Sequence, residues 1–519
     1  MKKLIGLFLA LALLLCALPA GADGLKELEQ RTNKDGLVYV VQADGTAKII
    51  KYTGKEKKLK IPAKLDGFEV TVIDSHAFES LDVRSSLQSV TFPDTLLRIE
   101  KSAFENCTAL KDAPLPKKLE HLGGGAFWRC QKLTNVGTLP DTLSEIGYNP
   151  FPGCDALKSV KVSKKHPYLE LKNNVLFSKP DSRLIWYPIA AKAQAYTVPD
   201  GTRAIGDMAF QFAHVTKVTI PESVEVFGQS AFGYCPELTE INIPSKVENL
   251  NAFTTGCGEL TAIRVSPDNP WFRSVDGVLF NADGTTLLLY PAGRKEASYT
   301  VPEGVAELAR NAFEKARFTA VQLPDSLRTI RFSAFGTTML TRLDIPEGVT
   351  LMESYALQSS YKLEEVSLPR SLNLNAGIFS GCINLQNVRI DADHPYLVLE
   401  ENCLYNRESG KLLWYNPTDM RESLTLPAGI RIIGEASVRN RQLKELVIPE
   451  GVEKIEQNSL SDCFVLTRIH IPASVTEISE RALARAAYSD NQTIVYVVPA
   501  GSYAEAYCKM YELETEVAE

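Results

Sequence analysis

The stretch Leu87–Pro93, LQSVTFP, is followed at fixed distances by apolar residues at 96 and 99, by Ala103-Phe104 and by Cys107. The same series of residue types starts again at Leu110 and at Leu133. Successive copies are mostly 22 or 23 residues apart, and a fixed period of this length indicates a repeat architecture. The phenylalanine that marks each copy is found at Phe78, Phe104, Phe127, Phe151, Phe210, Phe232, Phe253, Phe313, Phe335 and Phe379, and is replaced by Leu357, Val438, Leu460 and Leu483 in other copies.

The chemistry of one copy predicts a coil that cannot fold alone. The pattern L-x-x-V-x-I-P alternates apolar and polar residues, as a half-buried strand does, and its proline cannot donate to a strand ladder. The next segment, V-x-x-I-G, is interpreted as a turn, after which A-F points into the interior of the coil. One copy buries too little apolar surface to offset the entropy lost when it is ordered, so the copies must stack. We therefore predict an α/β repeat solenoid that is mostly β, with about fourteen short copies.

Three longer units interrupt the short copies, near residues 163–199, 266–302 and 391–427. They open with His166-Pro, Asn269-Pro and His394-Pro, and we interpret these three residues as interchangeable turn formers. Two apolar segments follow in each unit, joined by turn-forming residues such as Asp283-Gly284. Each long unit is therefore predicted to be a β-hairpin inserted into one coil.

The first 22 residues have the features of a Sec signal peptide. Lys2 and Lys3 precede an apolar run over residues 4–15, and Ala20-Gly-Ala22 supplies a cleavage site. The run is shorter than the ~20 residues that a membrane-spanning helix needs, so we expect no stable membrane insertion. Lipid attachment at Cys16 is the alternative, but the bulky Leu15 precedes that cysteine. We predict cleavage after Ala22 and a secreted or cell-surface protein.

Both ends of the remaining chain are predicted to be caps. Residues 23–60 form an N-terminal cap hairpin around Asp44-Gly45, and residues 61–498 form the solenoid. Ser502-x-x-Glu505 is a capping box that opens a C-terminal capping helix within residues 499–519. Tyr503, Tyr507, Met510 and Tyr511 are expected on one face of this helix. No linker separates these parts, so we expect one continuous domain and a monomer.

Charge and motifs exclude several functions. The net charge is −7 with no long run of like charges, which argues against nucleic acid and anionic membranes as partners. The six histidines form no metalloprotease motif or catalytic triad, and Ser230 is a repeat serine before A-F. We therefore expect no catalytic residue, no cofactor, no metal site and no enzymatic activity.

Seven cysteines share one repeat position, and no C-x-x-C pair that would suggest zinc is present. Buried free thiols are the favoured interpretation, and disulfides stacked between coils are the alternative. The seven are Cys107, Cys130, Cys154, Cys235, Cys257, Cys382 and Cys463.

The consensus C-x-x-L-x-x-V-x-I-P-x-x-V-x-x-I-G-x-x-A-F resembles the BspA-like, or treponemal-type, leucine-rich repeat family of bacterial surface and secreted proteins. The long unit from Asn269 to Pro291, the opening Asp44-Gly-Thr46 and the closing Gly501-Ser-Tyr-Ala-Glu505 are also typical of it. The resemblance implies a curved right-handed solenoid, export and, in some members, adhesion to host matrix proteins or host cells. It implies no shared catalytic residues.

The outward face of the predicted strands is the candidate binding surface. The central residue of V-x-I should point away from the interior, and we predict that this strand face binds an extracellular protein, possibly a host matrix or cell-surface protein. A carbohydrate- or cell-wall-binding module is the alternative, with Trp128 as a candidate exposed aromatic residue. The predicted strand-face residues are Thr91, Lys161, Thr219, Asn242, Arg264, Gln322, Asp344, Ser367, Arg389 and His470, together with Val447.

Overall fold

A computed structural model describes residues 29–191, 194–374, 377–460, 462–480, 482–483 and 493–518. The predicted signal peptide and its cleavage site after Ala22 lie outside these residues. The chain forms two compact units, Met1–Pro167 and Tyr168–Glu519, and their boundary falls in the first long unit.

Most short coils contribute two strands, which we name the leading strand and the trailing strand. The leading strand is the predicted V-x-I strand, and its middle residue is buried between two outward residues, as in Lys217–Thr219. The trailing strand, mostly two residues long, forms where the sequence predicted only a turn. The leading strands, with their counterparts at the ends of the series, are Lys58–Lys60, Ser89–Thr91, Thr138–Leu139, Lys161–Val162, Ala195–Thr197, Lys217–Thr219, Glu240–Ile243, Ala262–Val265, Ser298–Thr300, Ala320–Gln322, Arg342–Asp344, Glu365–Ser367, Asn387–Arg389, Ser423–Thr425, Glu445–Val447, Arg468–His470 and Val495–Pro499. The trailing strands of the short coils are Arg98–Ile99, His121–Leu122, Glu145–Ile146, Ala204–Ile205, Val226–Phe227, Glu307–Leu308, Thr329–Ile330, Leu351–Met352, Ile432–Ile433, Lys454–Ile455 and Glu477–Ile478.

Within each unit, strands of the same kind pair in parallel from coil to coil. Arg342 is in register with Glu365, and Glu365 with Asn387, in the leading series. Thr329 is in register with Leu351 in the trailing series. Since the partners are one repeat apart in the sequence, the predicted repeat solenoid, mostly β, is confirmed.

The repeat phenylalanines and cysteines lie inside the coils. The rings of Phe78 and Phe104 stack at a centroid distance of 4.3 Å, and those of Phe313 and Phe335 at 5.2 Å. The Cys130 thiol donates to the carbonyl oxygen of Phe104 in the preceding coil at 3.1 Å. All nine described cysteines are buried free thiols, as favoured above. The Phe104 carbonyl also accepts from the Cys107 amide at 3.2 Å, so the repeat cysteine supplies a second donor to it.

The assignment of Phe253 as a repeat phenylalanine was wrong. The Phe232 amide donates to the Phe253 carbonyl, whereas in the preceding pair of coils the Phe210 amide donates to Ala231. Phe253 therefore occupies the position of the small residue, and Thr254 occupies that of the phenylalanine. The chain has one extra residue between Phe253 and Cys257, because the usual spacing from phenylalanine to cysteine is three. The Phe253 ring packs instead on Phe227, with centroids 5.5 Å apart.

Each long unit contains three antiparallel strands rather than a simple hairpin. The predicted pair is preceded by a strand that the sequence analysis missed, such as Leu169–Lys172. The third strand of each unit pairs in parallel with the next trailing strand, so the long units stay within the stack. The strands of the three units are Leu169–Lys172, Val175–Ser178 and Arg183–Trp186; Phe272–Val275, Val278–Asn281 and Thr286–Leu289; and Leu397–Glu400, Cys403–Asn406 and Lys411–Tyr415.

The N-terminal part contains the hairpin expected around Asp44-Gly45. Its strands are Leu37–Val41 and Ala47–Tyr52, and Arg31–Thr32 adds a third antiparallel strand. Ala47–Tyr52 pairs in parallel with Phe68–Ile73, which also pairs with the short strand Lys64–Leu65. A six-residue helix, Leu81–Ser86, was not anticipated.

The C-terminal helix spans Tyr503–Met510 and begins at the expected N-cap, Ser502. The Glu505 amide donates to the Ser502 hydroxyl at 3.1 Å. The four residues predicted to share a face do not form the buried side of the helix: Tyr507 is buried together with Ala504 and Cys508, whereas Met510 is 75% exposed. The sequence analysis also missed the last strand, Thr515–Ala518, which pairs in parallel with Val495–Pro499.

Candidate functional site

The predicted strand face lies on the outward side of the leading strands. Its residues follow an apolar residue that is buried, as Val218 before Thr219 and Val388 before Arg389, or partly buried, as Val321 before Gln322. The structure brings Thr219, Asn242 and Arg264 onto one four-stranded sheet. It brings Asp344, Ser367 and Arg389 onto a separate three-stranded sheet, and His470 and Val447 onto a third.

The long units divide this face in the second compact unit. Ala262–Val265 is the last leading strand of its sheet, and its neighbour in space is Phe272–Val275 of the second long unit. The next leading strand, Ser298–Thr300, begins a new sheet with Ala320–Gln322, which carries Gln322. In the first compact unit, Thr91 and Lys161 likewise lie on two different two-stranded sheets. Within the second compact unit, the predicted residues therefore lie on several separate sheets.

A second outward column was missed by the sequence analysis. It consists of the residue before the buried middle position of each leading strand. Glu240 and Glu365 in this column are in parallel register with Lys217 and Arg342 of the preceding coils. The signal was available, because a strand with one buried middle residue must turn both neighbours outward.

Glutamates of the second column bind basic residues of both neighbouring coils. Glu240 contacts Lys217 Nζ at 3.0 Å and Arg264 Nη2 at 3.0 Å. Glu365 contacts Arg342 Nη1 at 2.9 Å and Arg389 Nη2 at 3.0 Å. We name these two sets the Glu240 triad and the Glu365 triad. Two of the basic residues predicted to bind a partner, Arg264 and Arg389, are thus already paired within the protein.

Pairing with basic residues lowers the pKa of the glutamates on the leading strands. Hydrogen bonds from Arg264 and then Lys217 hold the pKa of Glu240 below its usual value. A hydrogen bond from His470, whose Nε2 lies 2.8 Å from the carboxylate, lowers the pKa of Glu445 in the same way. Around Glu240, Glu365 and Glu445, the leading strands therefore present charge that is compensated within the protein.

The predicted strand-face residues that do not contact these glutamates differ in their hydrogen bonds and exposure. The Asn242 side chain donates to the Ile220 carbonyl at 2.7 Å and accepts from the Ile220 amide at 2.9 Å, so it also supports the preceding coil. Asp344 accepts from Arg342 of its own strand at 2.9 Å. Thr91, Lys161 and Gln322 are exposed.

Trp128 is not the exposed aromatic residue that was expected. Its side chain is only partly accessible, and the indole Nε1 is buried without a hydrogen-bond partner among the described residues. Three exposed aromatic residues lie instead at one shared position, directly after the proline that opens each long unit. Tyr168, Trp271 and Tyr396 are 38%, 41% and 40% exposed. The common position could have been read from the H-P-Y and N-P-W motifs.

The histidines that open the long units have structural contacts. His394 is 1% exposed, and its Nε2 lies 2.9 Å from the Pro369 carbonyl oxygen. His166 Nε2 makes the same contact with Pro140 at 2.9 Å. Within the described ranges, no group of three His, Cys, Asp or Glu side chains is placed to hold a metal ion. No helix in the described part of the chain is long and apolar enough to cross a membrane.

Comparison with known proteins identifies the repeat. A family model described as "BspA type Leucine rich repeat region (6 copies)" matches residues 52–178, 190–274, 294–411 and 413–515. No curated protein matches the chain significantly.

Solved structures with leucine-rich repeats are also similar over most of the chain. A leucine-rich cell surface protein from Faecalibacterium prausnitzii A2-165 is 22% identical, with a TM-score of 0.38, and the match covers 95% of this chain and 99% of that one. The pneumococcal vaccine antigen PcpA is 18% identical, with a TM-score of 0.33, over 95% of this chain and 99% of that one. A leucine-rich repeat protein from Eubacterium ventriosum is 17% identical, with a TM-score of 0.34, over 86% of this chain and 92% of that one. These scores are too low to support any inference beyond the family match.

Proposed function

Because this chain belongs to the BspA-type leucine-rich repeat family, we propose that it is a non-enzymatic secreted or surface protein that binds an extracellular protein through its strand face. The observation that supports this most is the ordered alternation of charge on the leading strands. Both the Glu240 triad and the Glu365 triad hold long side chains in fixed positions across three coils. A partner that meets such a surface loses little additional side-chain entropy there.

The geometry favours a protein as the partner. Surface ion pairs contribute only about 0–1 kcal/mol each to stability, so folding alone gives little reason for two such triads. Complementary charge instead provides specificity and faster association between proteins. The triads therefore fit a role in recognition, and a partner would carry an alternating charge pattern of its own.

The test compares two charge reversals in neighbouring coils. The variant K217E/R264E reverses the basic residues of the Glu240 triad, whose side chains are 53% and 68% exposed. The matched control is R203E/K246E, because Arg203 and Lys246 are 64% and 61% exposed and both pair with Glu225 away from the leading strands. Both variants remove two ion pairs and change the charge equally.

Binding of the mature chain to a panel of purified extracellular-matrix proteins is measured by biolayer interferometry. We expect K217E/R264E to weaken binding at least tenfold and R203E/K246E to leave it within about twofold of the parent. An equal effect of the two variants, or no binding to any matrix protein, would count against the strand face as the site.

A second candidate function is carbohydrate or cell-wall binding through the exposed rings of Tyr168, Trp271 and Tyr396. An exposed aromatic ring offers a large apolar face on which a sugar ring can pack. Pull-down with insoluble polysaccharides, comparing the parent with W271A, tests this alternative. Retention that W271A reduces would favour it over a protein partner.

A further inference from the structure

The second long unit lacks an aromatic ring that the other two bury. In the antiparallel pairing of the long units, Leu176 lies opposite Trp186, Leu404 opposite Trp414 and Leu279 opposite Leu289. Leu289 therefore occupies the tryptophan position. Trp186 and Trp414 are 0% and 5% exposed, whereas Leu289 remains partly exposed.

The coil before the second long unit lacks a ring as well. Thr254 occupies the position of the repeat phenylalanine, and the Phe253 ring has moved to Phe227. In the coil before the third long unit the corresponding residue is Phe379, which belongs to the same buried cluster as Trp414. Two adjacent coils at the second long unit have thus each lost one large aromatic group.

A groove with a volume of about 830 Å³ lies where the two rings are missing. Thr254 and Tyr290 lie on its walls, and further apolar surface comes from Leu250, Leu288 and Leu289. Volumes of roughly 300–1,000 Å³ with a mostly apolar lining are typical of sites that bind organic ligands. All the lining residues belong to the second compact unit.

Most of the charged residues that line the groove already interact with other side chains of the protein. Arg331 contacts Glu307 and Glu353, each at 2.9 Å. Lys315 Nζ lies 3.6 Å from Glu314, and the Arg310 guanidinium lies over the Phe332 ring. With its basic groups engaged, the groove offers an incoming ligand chiefly apolar surface.

We propose that this groove binds a planar aromatic group of about the size of an indole ring. The long-unit framework accommodates an indole at this position in the two other units, where the chain itself supplies it. In the second unit the chain supplies no ring, which leaves the groove open to one from a ligand. Its source is either a free aromatic compound or an aromatic side chain on a peptide, and both present the same chemistry.

The test titrates the mature protein with two probes by isothermal titration calorimetry. One probe is N-acetyl-tryptophanamide, and the other is a short extended peptide blocked at both ends with one central tryptophan. Binding of at least one probe is expected in the millimolar range or tighter. Tighter binding of the peptide would identify a protein-borne ring, and tighter binding of the amide would identify a free compound. No measurable binding of either probe would overturn the proposal.

Two variants locate the binding. L289W supplies the tryptophan of the other long units and should weaken binding at least tenfold. The control L399W places a tryptophan at a leucine that is 40% exposed in the third long unit, and should bind as the parent does. T254F, which fills the groove from the preceding coil, provides a second test if L289W does not fold. Undiminished binding by a folded L289W or T254F would contradict the assignment.

Discussion

His394 in the third long unit and Asn269 in the second make equivalent hydrogen bonds with different side chains. His394 Nε2 lies 2.9 Å from the Pro369 carbonyl oxygen, and Asn269 Nδ2 donates to the Pro244 carbonyl at 2.8 Å. On the other side, His394 Nδ1 accepts from the amides two and three residues ahead, and Asn269 Oδ1 does the same. The imidazole and the amide are therefore exchangeable here because each directs a donor to the proline carbonyl and an acceptor to the two amides. The Asn269 amide has a second donor, which bonds to the Val247 carbonyl at 3.0 Å.

This equivalence predicts different effects of two substitutions. H394N should change the free energy of unfolding by less than about 1 kcal/mol, because the amide can replace both contacts. H394A should cost about 2 kcal/mol, since it leaves a buried carbonyl and two amides without their partner. Urea unfolding followed by circular dichroism measures both values. Equal destabilisation by the two substitutions would refute the exchange.

The repeat cysteines predict low thiol reactivity in the folded protein, because all are buried and the pKa is raised in six of the seven. The exception is Cys257, whose pKa is lowered by a hydrogen bond from Cys235. Burial raises the pKa of Cys107 and Cys382 to about 12 and that of Cys463 to about 11. At pH 8 we expect no reaction with Ellman's reagent within minutes unless the protein is unfolded. T219C, which adds an exposed thiol on the strand face, should react at once. Rapid labelling of the parent, or disulfides found by mass spectrometry, would contradict buried thiols.

The same thiols predict lower stability at alkaline pH. Above pH 9, the usual value, thiols in the unfolded chain lose their protons while the buried ones keep theirs. The unfolded state then binds fewer protons than the folded state, so the free energy of unfolding falls as the pH rises. Urea unfolding at pH 8 and pH 10 measures the loss, and substitution of Cys107 and Cys382 by Ala should reduce it.

Asp419 predicts a loss of stability in acid. Burial would raise the pKa of this carboxyl, but hydrogen bonds from Arg421 at 2.7 Å and Asn402 at 2.8 Å outweigh burial and hold the pKa well below its usual value. The stability it contributes is therefore present above the usual pKa of 3.8 and is lost as the pH falls towards the lowered value.

At pH 7, D419N should destabilise the protein by about 2 kcal/mol, because the side chain is only 7% exposed and its charged hydrogen bonds are lost. The control is D393N, since Asp393 also pairs with an arginine, Arg370, but is 82% exposed. We expect D393N to change stability by less than about 1 kcal/mol. The difference between D419N and the parent should shrink at pH 3, and a difference independent of pH would argue against the ion pair as its cause.

The fold was predictable from the sequence because each copy repeats its own environment. The buried middle residue of the leading strands and the interior position of the cysteines both follow from the 22-residue period. The trailing strands could not be foreseen, because two residues carry too little alternation to distinguish a strand from a turn. Phe253 was misassigned because the letters A-F were aligned without regard to the extra residue before Cys257.

The candidate site was only partly predictable. The outward direction of Arg264 and Arg389 followed from strand alternation, but their pairing with Glu240 and Glu365 depends on contacts between coils. The partial burial of Trp128 likewise depends on neighbours that sequence periodicity does not locate. The groove was missed because Leu289 is an ordinary apolar residue until it is compared with Trp186 and Trp414.

Deletion of one coil tests the stacking of equivalent coils most directly. Removing residues 320–341 joins Thr319 to Arg342 and restores the Thr-Arg pair that Thr341 and Arg342 form in the parent. Removing only residues 320–330 breaks the register of every later coil. Stacked repeats predict that the full deletion retains the parent circular dichroism spectrum and a cooperative thermal transition, whereas the half deletion loses both. Equal disruption by the two deletions would contradict the solenoid.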